Sequence, residues 1–226
     1  MSENENKKEK IISQAVVNRL PRYYRYLTEL INSGYYKISS GELSKKMSVT
    51  ASQIRQDLNC FGGFGQQGYG YNVVHLHKEI GNILGVDKQF RAIIVGTGNL
   101  GKTLANSGLF IKRGVYLKAL FDIDTGVIGQ KVADFTVMDI KNAPEYCKSE
   151  KIDIAVLTLP KESTELVAKI LAEAGVRGFW NFSNMELNII KDNVKVENFH
   201  MGDSLMTLCY ALAIKNDDGD KSEQGE

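Results

Sequence analysis

Cysteine is scarce in this 226-residue chain, and the three present, Cys60, Cys147 and Cys209, are scattered with no CxxC pair. That spacing indicates neither a disulfide framework nor a zinc site. Histidine is just as rare. His75-x-His77 falls in a predicted helix, where i and i+2 side chains diverge, and His200 is remote, so no metal site is expected. No apolar run approaches the length of a membrane span, and residues 1–10 are too polar for a signal peptide. These absences predict a cytoplasmic protein with reduced thiols and no membrane partner, behind a disordered leader at 1–10. Catalytic constellations are missing too: no His is placed with a carboxylate, no Lys ends an apolar strand, and no Cys sits beside a base. Lys161, after Pro160, reads as a solvated helix-start lysine. An enzyme that turns over a small molecule is therefore not expected.

What the chain does have begins with Arg91-Ala-Ile-Ile-Val-Gly-Thr-Gly-Asn-Leu-Gly101. The apolar run Ala92 to Val95 predicts a strand buried on both faces, and it leads into Gly96-Thr97-Gly98-Asn99-Leu100-Gly101 and a helix-compatible segment. Gly96 permits the tight turn, Gly98 lets a pyrophosphate approach, and Gly101 lets the helix pack on the strand. Free N–H groups at the helix start then meet the anion. Leu117 to Phe121 predicts a second strand, which ends at Asp122 and Ile123, and Asp122 follows Gly101 by 21 residues. A carboxylate there would accept from an adenosine ribose and repel a 2′-phosphate, which favours NAD over NADP. Strands over Ile152–Pro160, Gly178–Phe182 and Val194–Phe199, with a helix over Ser163–Ala174, continue a Rossmann-like α/β alternation. Its ligand groups come from carboxyl ends of strands, Thr158-Leu159-Pro160 and Asn181-Phe182-Ser183, on the nicotinamide side.

The first ninety residues must fold separately, and their charge differs from the whole. The formal net charge is only +1, yet residues 11–72 carry seven basic groups against three acidic ones. The acidic tail, 216–226, offsets them. Residues 13–33 have an apolar helical stripe that includes Val16, Leu20, Tyr23, Leu27 and Leu30. Pro21 is read as starting the main helix, with 11–20 a lead-in helix or extended arm. Tyr23, Tyr24 and Tyr26 are read as packing groups rather than a base-stacking platform. Ser39-Ser40 can cap a helix over Gly41–Met47, Ser48-Val49 turns the chain, and Thr50 can cap a helix over Ala51–Asn59. Helix, tight turn, helix is a helix-turn-helix. With Ile54 and Leu58 inward, Ser52, Gln53, Arg55 and Gln56 stand at the exposed N-terminal end, where Arg can pair with guanine and Gln with adenine. Arg19, Lys45, Lys46, Ser48 and Thr50 are the accompanying candidates for DNA contact. Cys60 to Tyr71 interleaves five glycines with aromatics and amides, which a hairpin requires. It is read as the wing of a winged helix, with Gln66, Gln67 and Tyr69 at its tip. Asn72 caps a helix over Val73–Leu84, and Gly85 ends it.

The expected organisation is a winged-helix domain over 11–85, a dinucleotide-binding domain over 86–200, a C-terminal helix over 201–215 and the tail. Asp203 is read as the cap of that last helix, at Ser204 to Ile214. The helix is too apolar for a single exposed face and is expected to pack against another subunit.

Taken together, Arg19-Leu-Pro-Arg-Tyr-Tyr-Arg25, Ser39-Ser40, Ile54-Arg-Gln-Asp-Leu58, Phe61-Gly-x-Phe-Gly-x-x-Gly-x-Gly-Tyr71, Gly96-x-Gly-Asn-Leu-Gly101 and Asn181-Phe182 closely resemble the pattern of the redox-sensing transcriptional repressor Rex family. The resemblance spans about residues 11–214. It implies a homodimer that binds a palindromic DNA operator when NAD+ dominates and releases it on binding NADH, with the C-terminal helix exchanged between subunits. It also implies a switch contact made by an arginine, here Arg25, with an Asp and a Tyr. Those two are replaced by His200 and Ser107, which leaves either His200 or Asp203 as the partner and adds a possible pH term. Rival readings are an NAD-dependent oxidoreductase with an accessory helical domain, and a CoA- or nucleotide-binding interaction module. The first lacks an acid–base pair, and the second leaves Arg55, Gln56 and the wing unexplained.

Overall fold

The computed structural model describes residues 12–61, 65–66, 70–189 and 192–219. The expected leader at 1–10, wing residues Gln67 and Tyr69, and positions 220–226 of the acidic tail lie outside the described residues. The chain divides into two compact units, Met1–Lys88 and Gln89–Glu226.

The first unit opens with α1 (Gln14–Asn32), followed by β1 (Lys37–Ile38), α2 (Ser40–Met47), α3 (Ala51–Asn59), β2 (Gly65–Gln66), β3 (Gly70–Asn72) and α4 (Val73–Leu84). Pro21 does not start α1 but lies inside it. The expected break is absent because the buried stripe Val16, Leu20, Tyr23, Leu27 and Leu30 runs through the proline without interruption. Pro21 itself is exposed, so the carbonyl it leaves unpaired faces the solvent side of the helix. α1 packs on α4, where the Tyr24 ring stacks on His77 at 4.2 Å between centroids and Thr28 Oγ1 lies 2.9 Å from His77 Nε2. The histidine of the His-x-His pair is thus a packing group, and burial lowers its pKa. β3 pairs antiparallel with both β1 and β2 to make the small sheet of the wing. Gly70 has φ of +73°, and a Cβ there would stand 2.7 Å from the Ile38 carbonyl oxygen, so the strand pairing depends on glycine.

In the second unit β4 (Phe90–Val95), α5 (Asn99–Asn106), β5 (Val115–Asp122), β6 (Lys131–Val132), β7 (Phe135–Asp139), α6 (Ala143–Glu150), β8 (Ile154–Leu157), α7 (Lys161–Glu173), β9 (Gly178–Asn181), β10 (Lys195–Asn198) and α8 (Met201–Gly219) follow in order. The sheet runs β10-β9-β8-β4-β5-β7-β6, and all its pairings are parallel except β6 with β7. Alternate residues of β4 serve opposite faces: Ile93 and Val95 join the cluster of Phe121, Leu157 and Leu171, whereas Ile94 joins that of Phe110, Leu120 and Val156. Both faces are covered, as a parallel sheet requires. β4 is followed by β5 on one side, and the chain later returns through β8 on the other, so the carboxyl ends of β4 and β8 form a topological switch point.

α8 begins at Met201, so Asp203 lies in its first turn rather than capping it. Every described side chain of α8 from Met201 to Ile214 is exposed, including Leu205, Met206, Leu208, Tyr210 and Leu212. No helix among the described residues is long and apolar enough to cross a membrane, and no cluster of ligating side chains among them could hold a metal.

Candidate nucleotide site and nucleic-acid interface

The three glycines of the β4–α5 turn do different work. Gly96 has φ of +98°, and a Cβ on it would meet the Thr158 carbonyl oxygen at 2.6 Å. On Gly101 it would stand 2.0 Å from the Gly96 carbonyl oxygen, so α5 can lie against the strand end only without a side chain there. Gly98, the N-cap of α5, is another matter: a Cβ built on it meets nothing within 4 Å. The fold does not need that glycine. Space in front of a helix start, beside amides that have no intrahelical acceptor, fits a bound pyrophosphate.

Neighbouring strand ends brace this turn. Thr158, just beyond β8, donates from Oγ1 to the carbonyl oxygen of Gly96 at 2.7 Å. Asp122, at the end of β5, accepts from the Thr97 backbone N–H at 2.5 Å and from Thr97 Oγ1 at 2.6 Å. Its other oxygen accepts from the N–H groups of Ile123 at 2.7 Å and Asp124 at 3.0 Å. Burial opposes ionisation, but these hydrogen bonds outweigh it and hold the carboxyl below its ordinary range. Asp122 is therefore not the open ribose acceptor that its spacing suggested, because protein donors fill its lone pairs. A ribose can reach it only if the one donor free to rotate, the Thr97 hydroxyl, turns away.

Asn181 also departs from expectation. It is fully buried, its Nδ2 donates to the Met185 carbonyl and Asn198 Oδ1, and its Oδ1 accepts from Ser183 N and Oγ. Asn181 ties the end of β9 to Asn198 at the end of β10, and Ser183 closes back on Asn181. Among the remaining candidates, Gly98, Asn99, Ile123 and Pro160 are exposed, Leu100 and Phe182 are half-buried, and Leu159 is buried. The Phe182 ring lies between Trp180 at 4.5 Å and Phe199 at 5.2 Å, which makes the neighbourhood apolar. Lys161 opens α7 and is exposed, as read.

In the first unit Ser39 and Glu42 close a complete capping box on α2, and Thr50 Oγ1 accepts from Gln53 N at the start of α3. Ser48 takes the left-handed conformation, φ 52°, that turns one helix into the next. Ser52, Arg55 and Gln56 are exposed on α3, as are Lys45, Lys46, Ser48 and Thr50 before it. Arg55 Nη1 donates to Ser40 Oγ at 3.0 Å. Gln66 is placed in β2.

Arg19 and Gln53 share one acceptor. Both donate to Asp57, a fully buried carboxylate on α3 that sequence reading passed over. The signal was present in Arg19 and Tyr23 at i and i+4 on α1, but their common acceptor lies more than thirty residues away. Of the switch candidates, Arg25 is exposed with its guanidinium 5.6 Å from the Tyr26 ring centroid, Asp203 is exposed, and His200 Nε2 lies 3.0 Å from Glu186 Oε1. Ser107 Oγ donates to the Leu104 carbonyl and ends α5.

Comparison with known proteins follows the same division. Residues 11–59 match the family described as "Putative DNA-binding protein N-terminus", and residues 87–185 match the "CoA binding domain" family. A redox-sensing transcriptional repressor Rex of Thermoanaerobacter sp. strain X514 is 51% identical over 205 residues, 91% of this chain and 91% of that protein. The chain belongs to the Rex family. Solved Rex-like structures agree along nearly the whole length. RSP in complex with β-NAD+ and operator DNA is 47% identical, with a TM-score of 0.85 over 96% of this chain and 99% of that one. RSP in complex with β-NADH is 45% identical, with a TM-score of 0.85 over 93% and 98%. The two RSP structures hold β-NAD+ and β-NADH, although the matched domain family is described by CoA.

Proposed function

We propose that this chain is a DNA-binding repressor that reads the NADH/NAD+ ratio, holding a palindromic operator as a homodimer and letting it go when NADH binds. The observation that carries the reading is Gly98. It is a glycine the protein fold leaves free, at a helix start, in a chain that also displays Ser52, Arg55 and Gln56 on a capped helix. The amides at the start of α5 would hold the pyrophosphate, Ile123, 72% exposed, would flank the adenine, and Leu159, Pro160 and Phe182 would line the nicotinamide side. The two ring states differ by one positive charge, and apolar neighbours favour the neutral, reduced one. Equal affinity in the DNA-bound and free arrangements would shift nothing, so the site must bind NADH better in the arrangement that does not fit DNA.

The apolar α8, exposed from Met201 to Ile214 among the described residues, supports a dimer in which a second copy buries it. Two recognition helices, α3 and its symmetry mate, would then meet major grooves about 34 Å apart. Lys45, Lys46, Ser48 and Thr50 would contact phosphates, with Gln66, Gln67 and Tyr69 of the wing beside them. Arg25, His200 and Asp203 are the candidates for the contact that differs between states. The protein acts in the cytoplasm and turns over no substrate.

The test is a titration of NADH, and separately of NAD+, into the protein bound to a labelled palindromic duplex selected from random DNA. Release by NADH alone is expected. Equal release by both forms, or consumption of NADH with a carbonyl substrate, would overturn the sensor reading.

A further inference from the structure

Asp57 collects hydrogen bonds from the side chains of Arg19, Tyr23 and Gln53. Arg19 donates to it twice, from Nε to Oδ2 and from Nη2 to Oδ1, each at 2.7 Å. Tyr23 Oη donates to Oδ2 and Gln53 Nε2 to Oδ1, each at 2.8 Å. Four donors fill the lone pairs of one carboxylate that is fully buried. Burial raises its pKa, yet the bonds from Arg19, Gln53 and Tyr23 outweigh it and keep the group ionised. Burial likewise pushes the Tyr23 hydroxyl up, so that it donates as a neutral phenol.

Two consequences follow for the surface that faces DNA. The Arg19 fork is spent on a carboxylate, and its charge is matched at contact distance, so Arg19 adds no uncompensated cation. An ionised carboxylate can only accept, so the group of Gln53 turned toward it must be the NH2, which fixes the sense of the amide. What Gln53 keeps for other partners is its carbonyl oxygen and the second N–H. Adenine asks for that pair in the major groove, an acceptor for N6 and a donor for N7. Gln53 sits in the first turn of α3, where a recognition helix presents side chains to bases.

We propose that Asp57 is a positioning residue for DNA readout: anchored to α1 by Arg19 and Tyr23, it locks the Gln53 amide in the sense that reads an A·T pair, and it withholds Arg19 from the phosphates. This rests on the reading of α3 as the recognition helix. Purely structural support would predict a different pattern, since a loosened domain loses affinity for every duplex alike.

The experiment uses the full-length protein below its melting temperature, with a selected palindromic duplex and all its symmetric single-base-pair variants. In the wild type, one A·T pair in each half-site is expected to be preferred about tenfold, the effect of one good bidentate contact. Gln53→Ala and Asp57→Asn should both abolish the preference at that same pair and keep the others. Arg19→Gln should leave the slope of log affinity against log salt unchanged, whereas a phosphate contact would lower it by about 0.9 for each subunit. Should Asp57→Asn fail to fold, Tyr23→Phe removes one donor from Asp57 and keeps the ring in the core, and it should weaken the preference at that same pair while the others stay. Uniform loss across all duplexes, or a reduced salt slope in Arg19→Gln, overturns the proposal while the DNA reading stands. A wild-type protein that selects no duplex overturns both.

Discussion

Asp57 in the first unit and Asp122 in the second are both buried carboxylates with four donors, but the donors are of opposite kinds. Asp57 is held by three side chains, two of them on a helix more than thirty positions away. Asp122 is held by three backbone N–H groups and one hydroxyl, all within its own strand end and the adjoining glycine turn. The first is a tertiary clamp that exists only when α1 and α3 have met. The second is part of the turn itself and comes with the backbone path. A side-chain substitution can therefore dismantle the first piece by piece, while the second yields mainly to changes that move the main chain.

The largest expected effect tests that contrast directly. Asp57→Ala strands the buried Tyr23 hydroxyl and leaves Arg19, 28% exposed, without its partner; breaking a buried charge pair from one side costs about 3–5 kcal/mol, and solvent at Arg19 puts this case at the lower end. That is a large fraction of what a unit of this size has. Trp180 is the sole tryptophan and lies in the second unit, so its fluorescence should report an unchanged sheet while far-ultraviolet circular dichroism records early loss of helix. Equal shifts in both signals would mean that the units unfold as one. Next in size is the glycine turn. Gly101→Ala forces a Cβ against the Gly96 carbonyl, an overpacking that costs about 1–3 kcal/mol. Gly98→Ala meets no protein atom, so its thermal unfolding should match the wild type while NADH binding is lost. If Gly98→Ala binds NADH normally, the pyrophosphate does not lie there.

Acid provides a smaller effect with a definite sign. Both carboxyls are held below the unfolded value of about 3.9. Their contribution is therefore complete above that value and is lost as pH falls through the folded values beneath it. Asp57→Asn should flatten the acid limb only of the helical loss that precedes the Trp180 change, and Asp122→Asn that of the Trp180 signal and of the helix lost with it, because both units contain helices. A helical acid limb unchanged by Asp57→Asn would assign acid unfolding of the first unit to other groups.

The same contrast explains what could be read from the chain. β4, the glycine turn and the start of α5 were legible because one continuous stretch encodes them. The helix caps at Ser39, Thr50 and Asn72 were legible because each is satisfied three residues on. β6, β7 and α6 were missed: β6 has two residues, and α6 is an eight-residue helix that buries only Ala143 and Cys147, too little for a periodic stripe. Pro21 was misread because its local penalty is visible in sequence, whereas the packing of α1 on α4 that overrides it is not. At the strand ends, a residue's position was easier to read than the direction of its side chain. Asn181 sits at the strand end that its position predicted, but which way an amide points depends on Asn198 and Met185, and no spacing rule contains them.

The smallest effect concerns the one side-chain donor on Asp122. Thr97→Val replaces a buried hydroxyl by a methyl of similar shape and leaves the three backbone donors in place. Losing one hydrogen bond to a charged group should cost the second unit about 1–2 kcal/mol, read from Trp180 unfolding. Affinity should move the other way. Removing the hydroxyl opens an acceptor site on a carboxylate that was otherwise full, and a ribose hydroxyl can take it. NADH and NAD+ share the adenosine half, so both should bind about three- to fivefold more tightly, the worth of roughly one net hydrogen bond, with their ratio unchanged. The operator would then be released at a lower NADH concentration but with the same selectivity for the reduced form. If affinity falls along with stability, Asp122 braces the glycine turn and takes no part in holding the ribose.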